Sequence, residues 1–278
     1  MPDYGLFCQS RLSNPYPLYH RLGEEDPVHF STVLQTWIIT RHEDVKAGIV
    51  DDRLSSNKMA FYLNPLPPTS REGLRPLTEY MSPWMSMKDP PDHPPTGTIN
   101  KAFTTKSLEE LTPKIQAISE VLPEDFVEYG RGDLIGQFAH PLPATVICEM
   151  LGIPPDNQDQ FRKWSADIVA FSAGSSVLLE KVANKAQSSQ LELVEYCRRI
   201  ISRRKIQPKN DLTSRLISVE ERDAQITELE LCAMCVLLFV AGQETTTNLI
   251  GNGVLSLLKQ PESFQRLRGN PRLIESAI

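Results

Sequence analysis

The residues Ala241-Gly242-Gln243-Glu244-Thr245-Thr246-Thr247-Asn248 concentrate more potential chemistry than any other stretch of the sequence. They sit inside a long helical pattern, where a purely structural helix has little use for them. Glycine in a helix interior costs about 1 kcal/mol relative to alanine. A carboxylate buried there is costly unless it is paired or protonated. The threonines add poor helix propensity and hydroxyls that bond back to the carbonyl four residues earlier. Ala241, Glu244, Thr245 and Asn248 stand at i, i+3, i+4 and i+7, so they share a face. There Ala241 and Gly242 would let a flat group approach the backbone. Glu244 and Thr245 would present a proton-relaying acid beside a hydroxyl, in side-chain contact or joined by a shared water. A core helix whose buried polar network bonds to neighbouring helices would fit the same residues equally well.

The element that must position this stretch is a helix over 227–260. Thr227 with Glu230 three residues on forms a capping box, and Pro261 supplies the stop. Such a helix is about three times the usual length. Its first part, 231–240, is apolar on all sides and should run through the core. Around it the chain reads as mainly α with a small β part, forming a single domain over 1–278. A short helix opens at Asn14-Pro15-Tyr16 and ends near Gly23. Val28-His29-Phe30 and Thr36-Trp37-Ile38-Ile39-Thr40 read as a hairpin over 28–40. A helix follows over 41–50. The stretch 51–88, rich in Pro, Ser and Met, reads as a long irregular loop. Beyond Ser107 the pattern is helical, interrupted by Pro123 and again by Gly152 with Pro154-Pro155 behind it. Two further helices cover 161–169 and 178–204.

Composition excludes several classes. The 278 residues are 40% apolar and 23% charged, as in an ordinary globular chain. A net charge of −6 without a Lys/Arg stripe argues against a nucleic-acid partner. The start lacks the basic and apolar regions of a signal peptide. The longest apolar run, 231–241, is shorter than the roughly 20 residues of a membrane span. No membrane association is expected, and a cytoplasmic location is. The five cysteines, Cys8, Cys148, Cys197, Cys232 and Cys235, are scattered and odd in number, so a disulfide framework is not expected. Cys232-x-x-Cys235 lies in the apolar run without a second Cys or His pair, which favours packing over metal binding.

Ala241-Gly242-Gln243-Glu244-Thr245-Thr246 resembles the oxygen-binding helix motif of the cytochromes P450, Ala/Gly-Gly-x-Asp/Glu-Thr-Thr/Ser. Other stretches resemble the same family: Pro15-Tyr16-Pro17-Leu18-Tyr19, Trp37-Ile38-Ile39-Thr40-Arg41, Asp89-Pro90-Pro91-Asp92-His93, Pro141-Leu142-Pro143-Ala144 and Leu151-Gly152-Ile153-Pro154. The resemblance covers nearly the whole chain. It implies the P450 fold and haem-dependent monooxygenation of a small, mostly apolar substrate. Electrons would come from a ferredoxin and its ferredoxin reductase. It further implies that Glu244 and Thr245 assist proton delivery to iron-bound oxygen, that Ala241 and Gly242 lie against haem b, and that His93 contacts a haem propionate.

Two departures from the family pattern bear on function. The sequence closes at Leu273-Ile274-Glu275-Ser276-Ala277-Ile278, before the family's Glu-x-x-Arg motif and cysteine loop. It is therefore expected to be a C-terminally truncated member, with no axial metal ligand among its cysteines and little capacity to retain haem. After His93 the family continues Thr-Arg-Leu-Arg; here Pro94-Pro95-Thr96-Gly97-Thr98 follows. Codons for those five residues, read one base later, can spell Arg-Leu-Arg-Gly-Leu, which suggests a compensated frameshift. The alternatives to an enzyme are a haem-free degenerate helper protein and the product of a pseudogene. Substrate contacts are expected from 51–88, from Ala170-Phe171-Ser172 and from 237–243.

Overall fold

The computed structural model describes residues 4–5, 14–33, 36–55, 59–64, 66–85, 109–122, 129–154, 158–172, 179–223 and 227–277. His93, the segment 94–98, Cys8 and Pro123 lie outside the described residues. The chain divides into two compact units, Met1–Ser56 and Asn57–Ile278.

In the first unit, helix α1 (Tyr16–Glu25) precedes an antiparallel hairpin and helix α2 (His42–Ile49). Strand β1 (Val28–Ser31) pairs with β2 (Thr36–Ile39) in the register Val28↔Ile39 to Ser31↔Thr36, the hairpin expected over 28–40. α1 runs two residues past Gly23, because the Asp26 N–H caps the Leu22 carbonyl and Arg21 pairs with Glu25 one turn on. Leu18 and Leu22 bury their side chains with Tyr4. The His29 ring, also buried, bonds Asp26 at 2.8 Å and meets Tyr4 edge-on.

The second unit is helical among its described residues. Its largest core is formed by α7 (Pro141–Leu151), α8 (Gln158–Ser172), α9 (Leu179–Ile206), α10 (Leu212–Asp223) and α11 (Glu228–Leu258). Phe161 anchors it. Its ring lies 4.7 Å from that of Phe239, 4.9 Å from Tyr196 and 5.1 Å from Trp164. α11 is long and apolar enough to cross a membrane by length and composition. Its apolar stretch Leu231 to Val236 is instead buried in this core.

The expected loop over 51–88 is corrected by the structure over 59–85. Those described residues fold as α3 (Met59–Leu63), α4 (Pro68–Gly73) and α5 (Arg75–Met85), while 51–55 are irregular. The prolines misled the reading: Pro68 opens α4 and Pro76 lies in the first turn of α5, where no N–H is required. Met59, Tyr62, Leu74, Leu77 and Met81 pack with Phe171 and Ala183 in a second core cluster. Tyr62 also donates its hydroxyl to the Ser172 carbonyl at 2.9 Å. Phe171, expected at a substrate pocket, is fully buried in that cluster.

Leu151-Gly152-Ile153-Pro154 has a local physical cause. Gly152 ends α7 with φ 68°, ψ 31°, a left-handed conformation that favours glycine. Ile153 N closes the turn on the Cys148 carbonyl at 2.8 Å. A side chain at Gly152 would collide with Asp211, which forms a buried ion pair with Arg204. Arg204 also donates to the Gly152 carbonyl at 2.8 Å, and Thr213 to the Leu151 carbonyl at 2.7 Å. The end of α7 is thereby fastened to α9 and α10.

Candidate active site

α11 begins at the predicted capping box. Glu230 N donates to Thr227 Oγ1 at 3.2 Å, and Thr227 N to Glu230 Oε2 at 2.7 Å. The helix then runs unbroken through residues 241–248. Ala241, Thr245 and Asn248 are exposed and Glu244 is partly exposed, so the predicted quartet does occupy one open face. Thr245 Oγ1 donates to the Ala241 carbonyl at 2.6 Å, and Asn248 Nδ2 to Glu244 Oε1 at 3.4 Å. Both bonds run i to i−4 within the face. Glu244 and Thr245 thus share the face, each with its own partner.

Gly242 faces elsewhere. A Cβ built on it would meet Ile147 Cδ1 of α7 at 3.2 Å, so its missing side chain lets α7 and α11 approach closely. The structure brings Ala241, Glu244 and Thr245 together and sets Gly242 against a neighbouring helix.

Two residues on the inward face, Gln243 and Thr247, carry polar groups whose roles the motif did not reveal. Both are buried, at 2% and 3% exposure. Thr247 Oγ1 donates to the Ala139 carbonyl at 2.9 Å. That carbonyl needs a donor because Pro143, four residues on, has no N–H. The preceding residues Ile135–Ala139 form a π-helical turn, with His140 N bonded to the Ile135 carbonyl at 2.9 Å. The signal was present in Pro141-Leu142-Pro143, but only the fold says which distant hydroxyl answers it.

The described cysteines offer no thiolate. Burial pushes the Cys148 and Cys235 thiols up to about 12 and Cys232 to about 11, and it also raises Cys197. All four are buried and free, with Cys232 and Cys235 packed in the apolar run as expected. No group of three metal-ligating side chains occurs among the described residues.

The family model described as cytochrome P450 matches residues 165–273, which include the whole of α11. Vitamin D(3) 25-hydroxylase of Pseudonocardia autotrophica is 35% identical over 280 residues, covering 99% of this chain and 66% of that protein. Cytochrome P450 107B1 of Saccharopolyspora erythraea is 35% identical over 286 residues, covering 100% of this chain and 67% of that protein. The chain belongs to the cytochrome P450 family. Its fold agrees: a solved P450BioI, in complex with a fatty-acid-ligated acyl carrier protein, superposes with a TM-score of 0.84 at 29% identity. That match covers 96% of this chain and 67% of the other. The chain spans about two thirds of the length of these P450 relatives.

Proposed function

We propose that this P450 chain contributes the oxygen-side wall of a haem-thiolate monooxygenase acting on a small, mostly apolar molecule. The supporting observation is the open face of α11. A small side chain at Ala241 leaves the backbone approachable, and the Thr245 hydroxyl is already oriented by the Ala241 carbonyl at 2.6 Å. A flat macrocycle fits against such a face. Haem, when bound, supplies the dioxygen chemistry. The described cysteines do not fit as its axial ligand, since each is buried with its thiol held protonated. The thiolate in this reading comes from outside the described residues.

The protein's own part is positional. Ala241 sets the depth of approach. Thr245 donates its hydroxyl proton to the Ala241 carbonyl and turns the Oγ1 lone pairs to the open side. Glu244, steadied by Asn248, offers a carboxylate one residue away that exchanges protons with water. His93 would assist at a propionate. Ferredoxin and ferredoxin reductase would deliver electrons, in the cytoplasm.

The test is the absorption spectrum of reduced, CO-treated protein from haem-supplied cells. A thiolate-type Soret band is expected once a P450 cysteine loop is supplied after Ile278, and not from residues 1–278 by themselves. It should persist when Cys148, Cys197, Cys232 and Cys235 are each changed to Ser, and be lost in Ala241→Trp, which fills the face. Absence of a haem band, or an unchanged band in Ala241→Trp, would overturn the reading.

A further inference from the structure

A cavity of about 90 Å³ lies behind α11, on the side away from the open face. Gln243, His140, Ala144, Asp159 and Arg162 line it, drawn from α11, the π turn and α7, and α8. Of these lining residues, Gln243 Oε1 and His140 Nδ1 are buried and have no hydrogen-bond partner among the described residues. Arg162 and Asp159 pair at 3.3 Å and are largely exposed, so the charged rim of the cavity reaches solvent.

A buried acceptor without a partner costs about 1–3 kcal/mol in a dry site. Water settles in a buried cavity when the space exceeds roughly 10–15 Å³ and polar partners are present, each molecule filling about 30 Å³. The cavity volume meets the first condition, and the unpartnered atoms of two of its lining residues supply the second. We propose that this cavity is a solvent-fed hydration site in which an ordered water bridges Gln243 Oε1 and His140 Nδ1. Water donates to the Gln243 carbonyl oxygen and can donate to or accept from the imidazole nitrogen, so one molecule satisfies both. The bridge ties residue 243 of α11 to the π turn, beside the Thr247–Ala139 bond one turn further on. Gln243 and His140 are positioning residues that hold the segment bearing Glu244 and Thr245. The hydration itself does not depend on haem binding.

Two measurements test this on the full chain without haem, so failure here is separate from failure of the spectral test. In a crystal structure of the unsubstituted protein, a water within hydrogen-bond distance of both atoms is expected. A direct Gln243–His140 bond or a dry cavity would overturn the proposal. Hydrogen exchange at the amides of residues 243–248 reads the energetic link. Gln243→Met and His140→Phe should each speed local exchange about two- to tenfold, the worth of one net hydrogen bond. The double variant should be no faster than the faster single one, because both lose the same bridge. If Gln243→Met slows exchange, the wild-type cavity was dry and its acceptor unsatisfied. Multiplying effects in the double variant would show that no shared water exists; either result overturns the proposal.

Discussion

On the outward face of α11, Thr245 and Asn248 bond back to their own helix. On its inward face, Thr247 reaches across to Ala139, and Gln243 Oε1 meets no partner among the described residues. The two faces belong to the same run of residues, 241–248, yet place opposite demands on it. A polar group facing outward can be left to water or a bound molecule at little cost. One facing inward must be satisfied by another element, or it destabilises the fold. Substitutions outward should therefore damage chemistry while sparing stability, and substitutions inward should do the reverse.

The largest effect should come from filling the contact between α7 and α11. Gly242→Leu adds atoms where even a Cβ lies 3.2 Å from Ile147 Cδ1. It should cost about 3 kcal/mol by denaturant unfolding, the upper part of the range for overpacking. Gly242→Ala sharpens the point. The helix gains about 1 kcal/mol of propensity while Ile147 must yield slightly, so the net change should be near zero. A severe loss in the alanine variant would show that the contact is more rigid than the distance implies.

Thr247→Val keeps the shape but removes the donor to Ala139. A buried carbonyl left unsatisfied should cost about 1–2 kcal/mol in the same assay. A neutral result would mean that another donor replaces the hydroxyl, and the inward face would lose its special status.

The outward counterpart, Thr245→Val, should change stability by less than about 0.5 kcal/mol, as for exposed positions generally. In the haem-loaded protein it should uncouple electron consumption from product formation, measured as peroxide released per electron pair. Loss of stability equal to that of Thr247→Val would erase the comparison between the faces.

The smallest effect at neutral pH concerns the apolar half of the helix and its neighbours. The buried thiols of Cys148, Cys197, Cys232 and Cys235 lie above their ordinary value of 9.0. A raised folded value favours the protonated form. Its stabilisation is fully present below the unfolded value and is lost as pH climbs toward about 11 to 12. Denaturation midpoints should be flat below about pH 8 and fall progressively above about pH 9. Replacing the four thiols by Ala should flatten that fall. A thiol reagent at about pH 8 should label these cysteines only on unfolding.

The long helix, its capping box and the hairpin were legible because each depends on local physics. Thr227 and Glu230 are three residues apart in any context, and the two β-rich runs within 28–40 lie a short turn apart. The outward quartet was legible for the same reason, since helical periodicity alone puts residues 241, 244, 245 and 248 on one side. The stretch 51–88 was not, because its prolines are breakers or starters according to register. Register was decided by Leu74, Leu77 and Met81 finding Phe171 and Ala183 across the core.

Which side of α11 is buried was left to the tertiary structure. Periodicity groups residues on a helix but cannot tell which group meets water. Gly242 looked like a place for a flat ligand and is where Ile147 of α7 sits. Thr247 looked like one of three equivalent threonines and is the donor to a carbonyl that Pro143 leaves without its N–H. Both outcomes depend on contacts about a hundred residues apart, and such contacts follow from how helices pack rather than from any local pattern. By itself the sequence determined which residues are available for chemistry and which of them share a face. The packing of α7 and α11 decided which of them remain open to perform it.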